Sequence, residues 1–349
     1  MKPKSKVAEA AAASCVLVII SLLCTCINGD QMKTNYEGTL SYSYYEKTCP
    51  KVEEIVRSSL SSMFILDPTS PAALLRLMFH DCQVQGCDAS ILLEPSGDQQ
   101  FTEIDSVKNF GIRKRDLIGS IKTSLETECP KQVSCSDVII LASMALILAA
   151  REAVALSRGP FIAVPLGRKD SLSTHSKHVA DSELPPSTAD VDTTLSLFAG
   201  KGMTVEESVA IMGSHTIGVT HCNNVLSRFN DNANATSENM DPRFQTFLRV
   251  ACPEFSPTSQ AAEATFVPND QTAVVFDTAY YNDAIAGRGN LRIDSEIGTD
   301  PRTRPFAEAF VADQDRFFNA FSSAFVKLSS YKVLTGNEGL VRSVCDKID

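Results

Sequence analysis

Two of the five histidines stand in contexts that suit chemistry. In Leu74-Leu75-Arg76-Leu77-Met78-Phe79-His80-Asp81-Cys82, Arg76 and His80 are four residues apart, so a helix would set them on one face about a turn apart. Leu75, Leu77, Met78 and Phe79 around them are apolar, which predicts a mostly buried helix. A buried guanidinium beside an imidazole is costly unless both face a polar cavity. Taken alone, an Arg/His pair of this kind is more often a structural contact.

The residues that follow shift that balance. Asp81, Asp88 and Ser90 offer side-chain oxygens, Val84 and Gly86 offer carbonyls, and a Cys82–Cys87 link would draw them together. Hard oxygen donors in a tight turn suit calcium, although the spacing is not that of an EF-hand. The second histidine, His215 in Ile211-Met212-Gly213-Ser214-His215-Thr216-Ile217-Gly218, has small neighbours that leave room for a bulky planar group. Its ordinary reading is a core histidine bonded to a carbonyl. A metal-ligating histidine needs an acceptor for its other ring nitrogen, and Asp294 is a candidate that spacing alone cannot place. His175-x-x-His178 looks like a metal pair but lies in a Ser/Lys/Asp-rich stretch and reads as a solvated loop; His221, beside Cys222, reads as incidental.

The elements that must position these residues are predominantly helical. Ser136-Asp137 predicts the cap of a buried helix from Val138 to about Leu156, ended by Gly159-Pro160. Its uninterrupted apolar run is too short for a membrane span. Thr204-Val205-Glu206-Glu207 is a capping box for a helix ending at Gly213. Further helices are expected at about 49–64, 70–82, 112–128, 190–199, 304–312 and 314–330, with 254–275 as a long loop. Phe317, Phe318, Phe321 and Phe325 have helical spacing and read as core. Strand alternation is scarce, and no repeat or interdomain linker appears. The architecture is a single all-α unit.

Composition narrows the function. A formal charge of −10 argues against a nucleic-acid-binding surface. Lys2, Lys4 and Lys6 precede an apolar run from Ala10 to about Ile27, which reads as a secretory signal peptide over residues 1–30; an uncleaved anchor is the alternative. Three of the eleven cysteines lie in that leader, and the even set of eight that remains suggests four disulfides in an oxidising compartment, with no pairing chosen by sequence alone. Zinc is a poor reading, because no C-x₂-C pair exists. Asn234-Ala235-Thr236 is a glycosylation sequon compatible with export.

Taken together, Arg76-x-x-Phe79-His80-Asp81-Cys82, Gly86-Cys87-Asp88-x-Ser90, Cys135-x-Asp137, Pro165-Leu166-Gly167-Arg168, His215-Thr216-x-Gly218, Phe276-Asp277-x-x-Tyr280-Tyr281, Phe317-Phe318-x-x-Phe321 and Cys345 occur in order. This set resembles the class III (secretory plant) haem peroxidases over about residues 40–345. The resemblance implies a haem peroxidase domain over 31–349, with distal and proximal helical halves around haem b, two calcium ions and four disulfides. It implies an enzyme that reduces hydrogen peroxide to water and oxidises phenolic donors in one-electron steps. His80 would be the distal acid/base, Arg76 the charge stabiliser and Phe79 a shield. Asn109 would accept the His80 ring N–H, and His215 would be the axial ligand backed by Asp294. The Pro185 carbonyl would accept a hydrogen bond from the donor.

The implied distal calcium set is Asp81, Val84, Gly86, Asp88 and Ser90, with Glu103 beside it; the proximal set is Thr216, Thr272, Val275 and Asp277 plus one more ligand. The implied disulfides are Cys49–Cys129, Cys82–Cys87, Cys135–Cys345 and Cys222–Cys252, and Asp137 and Arg168 match a buried ion pair. Four residues follow Cys345, too few for a vacuolar extension, so a monomer in the apoplast is expected, with roles such as lignin or suberin formation.

The chain also departs from the family. Gln83 replaces an aromatic residue and bears on packing or donor access. Asn269 stands where an aspartate calcium ligand is usual; either the loop shifts so that Asp270 binds, or Asn269 binds and the site is weaker. Arg113-Lys114-Arg115, Asn239-Met240-Asp241 and Ile162, in place of a tryptophan, are also atypical. Two competing readings remain: a catalytically quiet, calcium-stabilised extracellular binding protein on the same scaffold, and a disulfide-rich hydrolase. The first needs a lost distal residue or a basic patch. The second needs a free cysteine, and the implied bridges claim all eight.

Overall fold

The buried faces of a few strongly apolar helices organise the molecule. The computed structural model describes residues 40–95, 101–148, 159–230, 240–253 and 260–348, all within the unit Thr39–Asp349. The expected leader, the Asn234 sequon, Asn239 and positions 149–158 lie outside the described residues. Helices α1 (Val52–Leu66), α2 (Ser70–Gln83), α3 (Arg115–Glu128) and α4 (Cys135–Leu148) pack together. The described core of α4 is buried at every position through Met144, as its all-round apolar sequence predicts.

The cap of α4 differs from expectation. Asp137 does not cap it, because its carboxylate is engaged by Arg168 Nη1 (2.8 Å), the Gly167 N–H (2.7 Å) and the Tyr45 hydroxyl (2.7 Å). The first turn is closed by Ser134 Oγ and by Asp170, which accepts the N–H groups of Cys135 and Ser136.

The second half comprises α5 (Lys177–Glu183), α6 (Val191–Ala199), α7 (Val205–Met212), β1 (Val219–His221), α8 (Cys222–Asn230), α9 (Pro242–Ala251), α10 (Gln260–Ala264), β2 (Phe266–Pro268), α11 (Ala279–Ile285), α12 (Arg292–Ile297), α13 (Arg304–Ala312) and α14 (Gln314–Ser329). Thr204 and Glu207 form the expected capping box of α7, and α14 packs along that helix. Phe317, Phe321 and Phe325 are fully buried, with Phe276 against the first two, so the stripe is core. The segment expected as a loop holds α10 and β2; β2 pairs antiparallel with β1, Thr220 opposite Val267. That hairpin-sized sheet lies beside the Cys222–Cys252 bridge. Cys49–Cys129, Cys82–Cys87 and Cys135–Cys345 are the other three disulfides. No helix of the described residues is long and apolar enough to cross a membrane.

Candidate active site

Helix α2 buries Leu74, Leu75, Leu77 and Met78 in the core and leaves Arg76 and Phe79 half-buried on its other side. Arg76 and His80 do share a face: Arg76 Nε donates to His80 Nε2 at 3.2 Å. His80 Nδ1 lies 2.6 Å from Asn109 Oδ1, and Asn109 Nδ2 donates to the Glu103 carbonyl at 2.6 Å. The second contact fixes which way the amide is turned, so its oxygen faces His80 and can only accept. Nδ1 therefore carries the proton and Nε2 the lone pair. Burial, and then the Arg76 charge, push the His80 imidazole down to about 3, against a smaller opposing pull from Asn109. Burial brings the Arg76 guanidinium down to about 10, so it stays cationic at neutral pH, and its Nη2 donates to the Phe110 carbonyl at 2.8 Å. The Phe79 ring meets His80 edge-on at 5.6 Å between centroids.

On the other histidine, the capped helix α7 runs into a single 3₁₀ turn, Gly213–Thr216, that presents His215. His215 Nδ1 lies 2.8 Å from Asp294 Oδ1, so Nδ1 donates and Nε2 keeps its lone pair. The His215 side chain remains a third exposed, although Gly213, Thr216 and Ile217 around it are buried. Asp294 also accepts the Leu291 N–H (2.9 Å) and the Tyr280 hydroxyl (3.1 Å). Burial pushes the Asp294 carboxyl up, yet His215 and these donors hold it below its ordinary value. Tyr280 is a contact that sequence reasoning missed. It lies in a quoted motif, but no spacing rule joins residue 280 to a carboxylate fourteen positions on.

The expected distal oxygen set is buried and under-partnered. Asp81 Oδ1, Ser90 Oγ and both Glu103 carboxylate oxygens lack a well-formed hydrogen bond, although Ser90 stands close enough to Glu103 to ease its ionisation. Burial and the neighbouring Asp88 and Glu103 push the Asp81 carboxyl well up, and burial drives Glu103 to about 7. Gly86 lies at φ +120°, and a Cβ there would meet the Lys332 carbonyl at 2.1 Å, so this loop requires glycine. His175 is not the solvated residue expected: it is half-buried, with Nε2 3.2 Å from Asp88 Oδ2. Its polar neighbours in sequence concealed a partner 87 positions away. His178 is exposed as expected. His221 is more than incidental: its Nδ1 donates to the Glu263 carbonyl at 2.7 Å, and its ring meets Phe110 edge-on.

On the proximal side, Asp270, not Asn269, joins the expected group. Thr216 Oγ1 lies 2.7 Å from Asp270 Oδ2 and 3.2 Å from Asp277 Oδ1, and Thr272 Oγ1 lies 3.2 and 3.1 Å from Asp270 Oδ1 and Asp277 Oδ1. Val275 closes the same turn through its N–H on the Thr272 carbonyl. Asn269 instead accepts Thr220 Oγ1 (2.8 Å) and donates to the Ile217 carbonyl (3.0 Å), a role in the turn next to β2. Burial pushes Asp270 up to about 6. Among the described residues no three His, Cys, Asp or Glu side chains converge as a metal cluster. Both sets mix few carboxylates with hydroxyls and backbone carbonyls, a donor chemistry that suits a hard cation.

Gln83, the departure beside His80, is buried and donates through Nε2 to the Glu183 carbonyl at 2.8 Å, tying α2 to the C-terminus of α5. Pro185 follows two residues later and is half-buried. The other departures serve packing and surface pairs: Ile162 is buried, Asp241 caps α9, and Arg113 and Lys114 both pair with Asp67.

The peroxidase family profile matches residues 56–313. The chain is 88% identical to Peroxidase 29 of Arabidopsis thaliana over 349 residues, the whole of both chains. It is 38% identical to Peroxidase 63 over 334 residues, covering 95% of this chain and 97% of that one, and 37% identical to Peroxidase 12 over 308 residues, covering 88% and 82%; both are from the same plant. The chain therefore belongs to the peroxidase family, in its class III (secretory plant) branch, and is a peroxidase enzyme.

Proposed function

We propose that the protein is an exported monomeric haem b peroxidase in which His80 and Arg76 handle hydrogen peroxide and His215, backed by Asp294, holds the iron. The observation that carries this reading is the tautomer of His80: Asn109 Oδ1 accepts the Nδ1–H hydrogen bond, leaving the Nε2 lone pair free to take a proton beside a guanidinium. His215 would hold the iron for the same reason, with Nδ1 committed to Asp294 and a side chain left partly open amid buried neighbours. Bound haem would take two oxidising equivalents from peroxide and give them up singly to donors.

The chain's own residues supply the rest. Nε2 of His80 accepts a proton from one peroxide oxygen and delivers it to the other, while the Arg76 cation stabilises the charge on the departing oxygen. Phe79 screens the site, and the Pro185 carbonyl accepts a hydrogen bond from a phenol. Overall, one hydrogen peroxide takes two electrons and two protons from two phenols and leaves as two waters. Purified protein with a Soret band and peroxide-dependent guaiacol oxidation supports this; absence of the band would refute it.

Asp294 sets the orientation and basicity of His215, so Asp294→Asn is expected to lower the rate with peroxide about 10- to 100-fold. An unchanged rate in single-turnover mixing would assign Asp294 to folding alone.

Calcium is proposed at Asp81, Val84, Gly86, Asp88 and Ser90 beside Glu103, and at Thr216, Asp270, Thr272, Val275 and Asp277. The under-partnered distal oxygens and the two proximal carboxylates sharing hydroxyls support it. Chelation should lower the unfolding free energy by about 3 kcal/mol, the value for a site held near a hundred times its Kd. Calcium should restore it and magnesium should not, and denaturant midpoints with and without EDTA decide the matter.

The leader at 1–30, the four disulfides and the Asn234 sequon support export to the cell wall. Oxidation of wall phenols, as in lignin or suberin formation, follows from that location. The binding-protein alternative has no support here, because both distal residues are present and paired.

A further inference from the structure

The short segment before Pro185 is held from two directions by residues of the distal side. Lys108 Nζ donates to the carbonyls of Asp181 (2.6 Å) and Leu184 (2.5 Å), and Ser106 Oγ donates to Asp181 Oδ1 at 2.6 Å. From α2, Gln83 Nε2 holds the Glu183 carbonyl, and the Gln85 N–H reaches Glu183 Oε2 at 2.8 Å. Lys108 belongs to the same single turn, Val107–Asn109, that supplies the amide holding His80. One side chain thus links the turn that orients the base to the residue next to Pro185.

That side chain makes no hydrogen bond to a carboxylate, although its charge acts on Asp181 nearby. An ammonium has three N–H donors, and two of them end on neutral carbonyls. The nearby Asp181 carboxylate is already engaged, by Lys177 Nζ on Oδ2 (2.6 Å) and Ser106 on Oδ1. A half-buried cation with one donor to spare therefore stands one residue from Pro185.

We propose that Lys108 is a specificity-determining residue that pins the Asp181–Leu184 segment and selects phenolic donors bearing a carboxylate over their neutral counterparts. This rests on the reading of Pro185 as the donor's acceptor. No bond changes are added to the reaction: the carboxylate pairs with the ammonium while the phenol is oxidised.

The test compares 4-hydroxycinnamate with its methyl ester, which share a phenol and differ in charge. Their kcat/KM ratio, acid over ester, is measured for wild type, Lys108→Met, Lys108→Gln and Lys108→Arg. A partly exposed charge pair predicts that the ratio falls about two- to fivefold in the Met and Gln variants at low salt. Arginine should retain the ratio, and high salt should erase the difference. Equilibrium titration of each donor into the resting protein should show the same ordering without turnover. Hydrogen exchange at residues 181–184 should quicken in Lys108→Met. An identical ratio in all four proteins overturns the proposal. Should the variants fail to fold, a wild-type ratio indifferent to ionic strength overturns it as well. Wild-type protein that oxidises neither donor with peroxide removes the peroxidase reading itself, and this inference with it.

Discussion

Replacing His80 by leucine is expected to slow the reaction with hydrogen peroxide by about 10²- to 10⁴-fold, the range for losing one positioned acid/base group. Leucine fills much of the same space, and α2 is held by Leu74, Leu77 and Met78 rather than by His80, so the fold should persist. The effect should be confined to proton transfer: Arg76 keeps its contact with the Phe110 carbonyl and can still stabilise charge. The wild-type rate carries a further signature. Because burial and Arg76 hold the imidazole near 3, it stays neutral and able to accept a proton from neutral pH down well below the ordinary histidine range. The rate with peroxide should be level across that window and fall only as His80 protonates. Stopped-flow mixing over pH checks both points, and a His80→Leu variant that reacts at wild-type speed would strip the residue of its role.

The second large effect is on stability. Asp137→Ala is expected to cost about 3–5 kcal/mol, the range for removing one partner of a buried ion pair. Asp137 and Arg168 are both fully buried, and Asp137 also accepts from Gly167 and Tyr45. Arg168 would keep only carbonyl acceptors, at Pro165 and Ser329, and would become an uncompensated charge between the first helices and α14. Urea midpoints for Asp137→Ala and for Asp137→Ala with Arg168→Met separate two accounts. If the stranded charge dominates, the double variant should recover part of the loss. A single variant within 1 kcal/mol of wild type would mean that the pair is not what holds these segments together.

The parts of this structure that sequence announces are those where one physical signal is strong and local. The apolar run of α4, the Thr204–Glu207 box and the Phe stripe of α14 each state their own structure: the box appears as expected, α4 is buried over its described residues though its end is outside them and its cap differs, and the stripe is core with Phe318 partly buried against it. The Arg76/His80 spacing reveals a shared face, but only the Asn109 contact, 29 residues away, settles which nitrogen is basic. Short helices α5, α11 and α12 have six or seven residues, too few turns to display a period, and their stability comes from contacts elsewhere in the chain. Asp241-Pro242 was a readable start signal for α9, with a cap and a proline at the first helical position. Asn269 and Asp270 show the limit most clearly. Counting positions favours the asparagine, while the turn of the backbone delivers the neighbouring carboxylate to Thr216 and Thr272.

Asp170, which closes the first turn of α4, also accepts the backbone N–H of Arg342, and Arg342 reaches on to the Ala89 carbonyl. Three residues later Cys345 is bonded to Cys135, 210 positions upstream. A stretch made late, around residues 342–345, is therefore built into the part made first. Synthesis runs from the amino end, and early segments ordinarily settle first. Here the opening helices cannot reach their final state until the tail has arrived. A chain that stops short of residue 342 should emerge as an unfinished body, open to quality-control proteases, rather than as a slightly shorter enzyme.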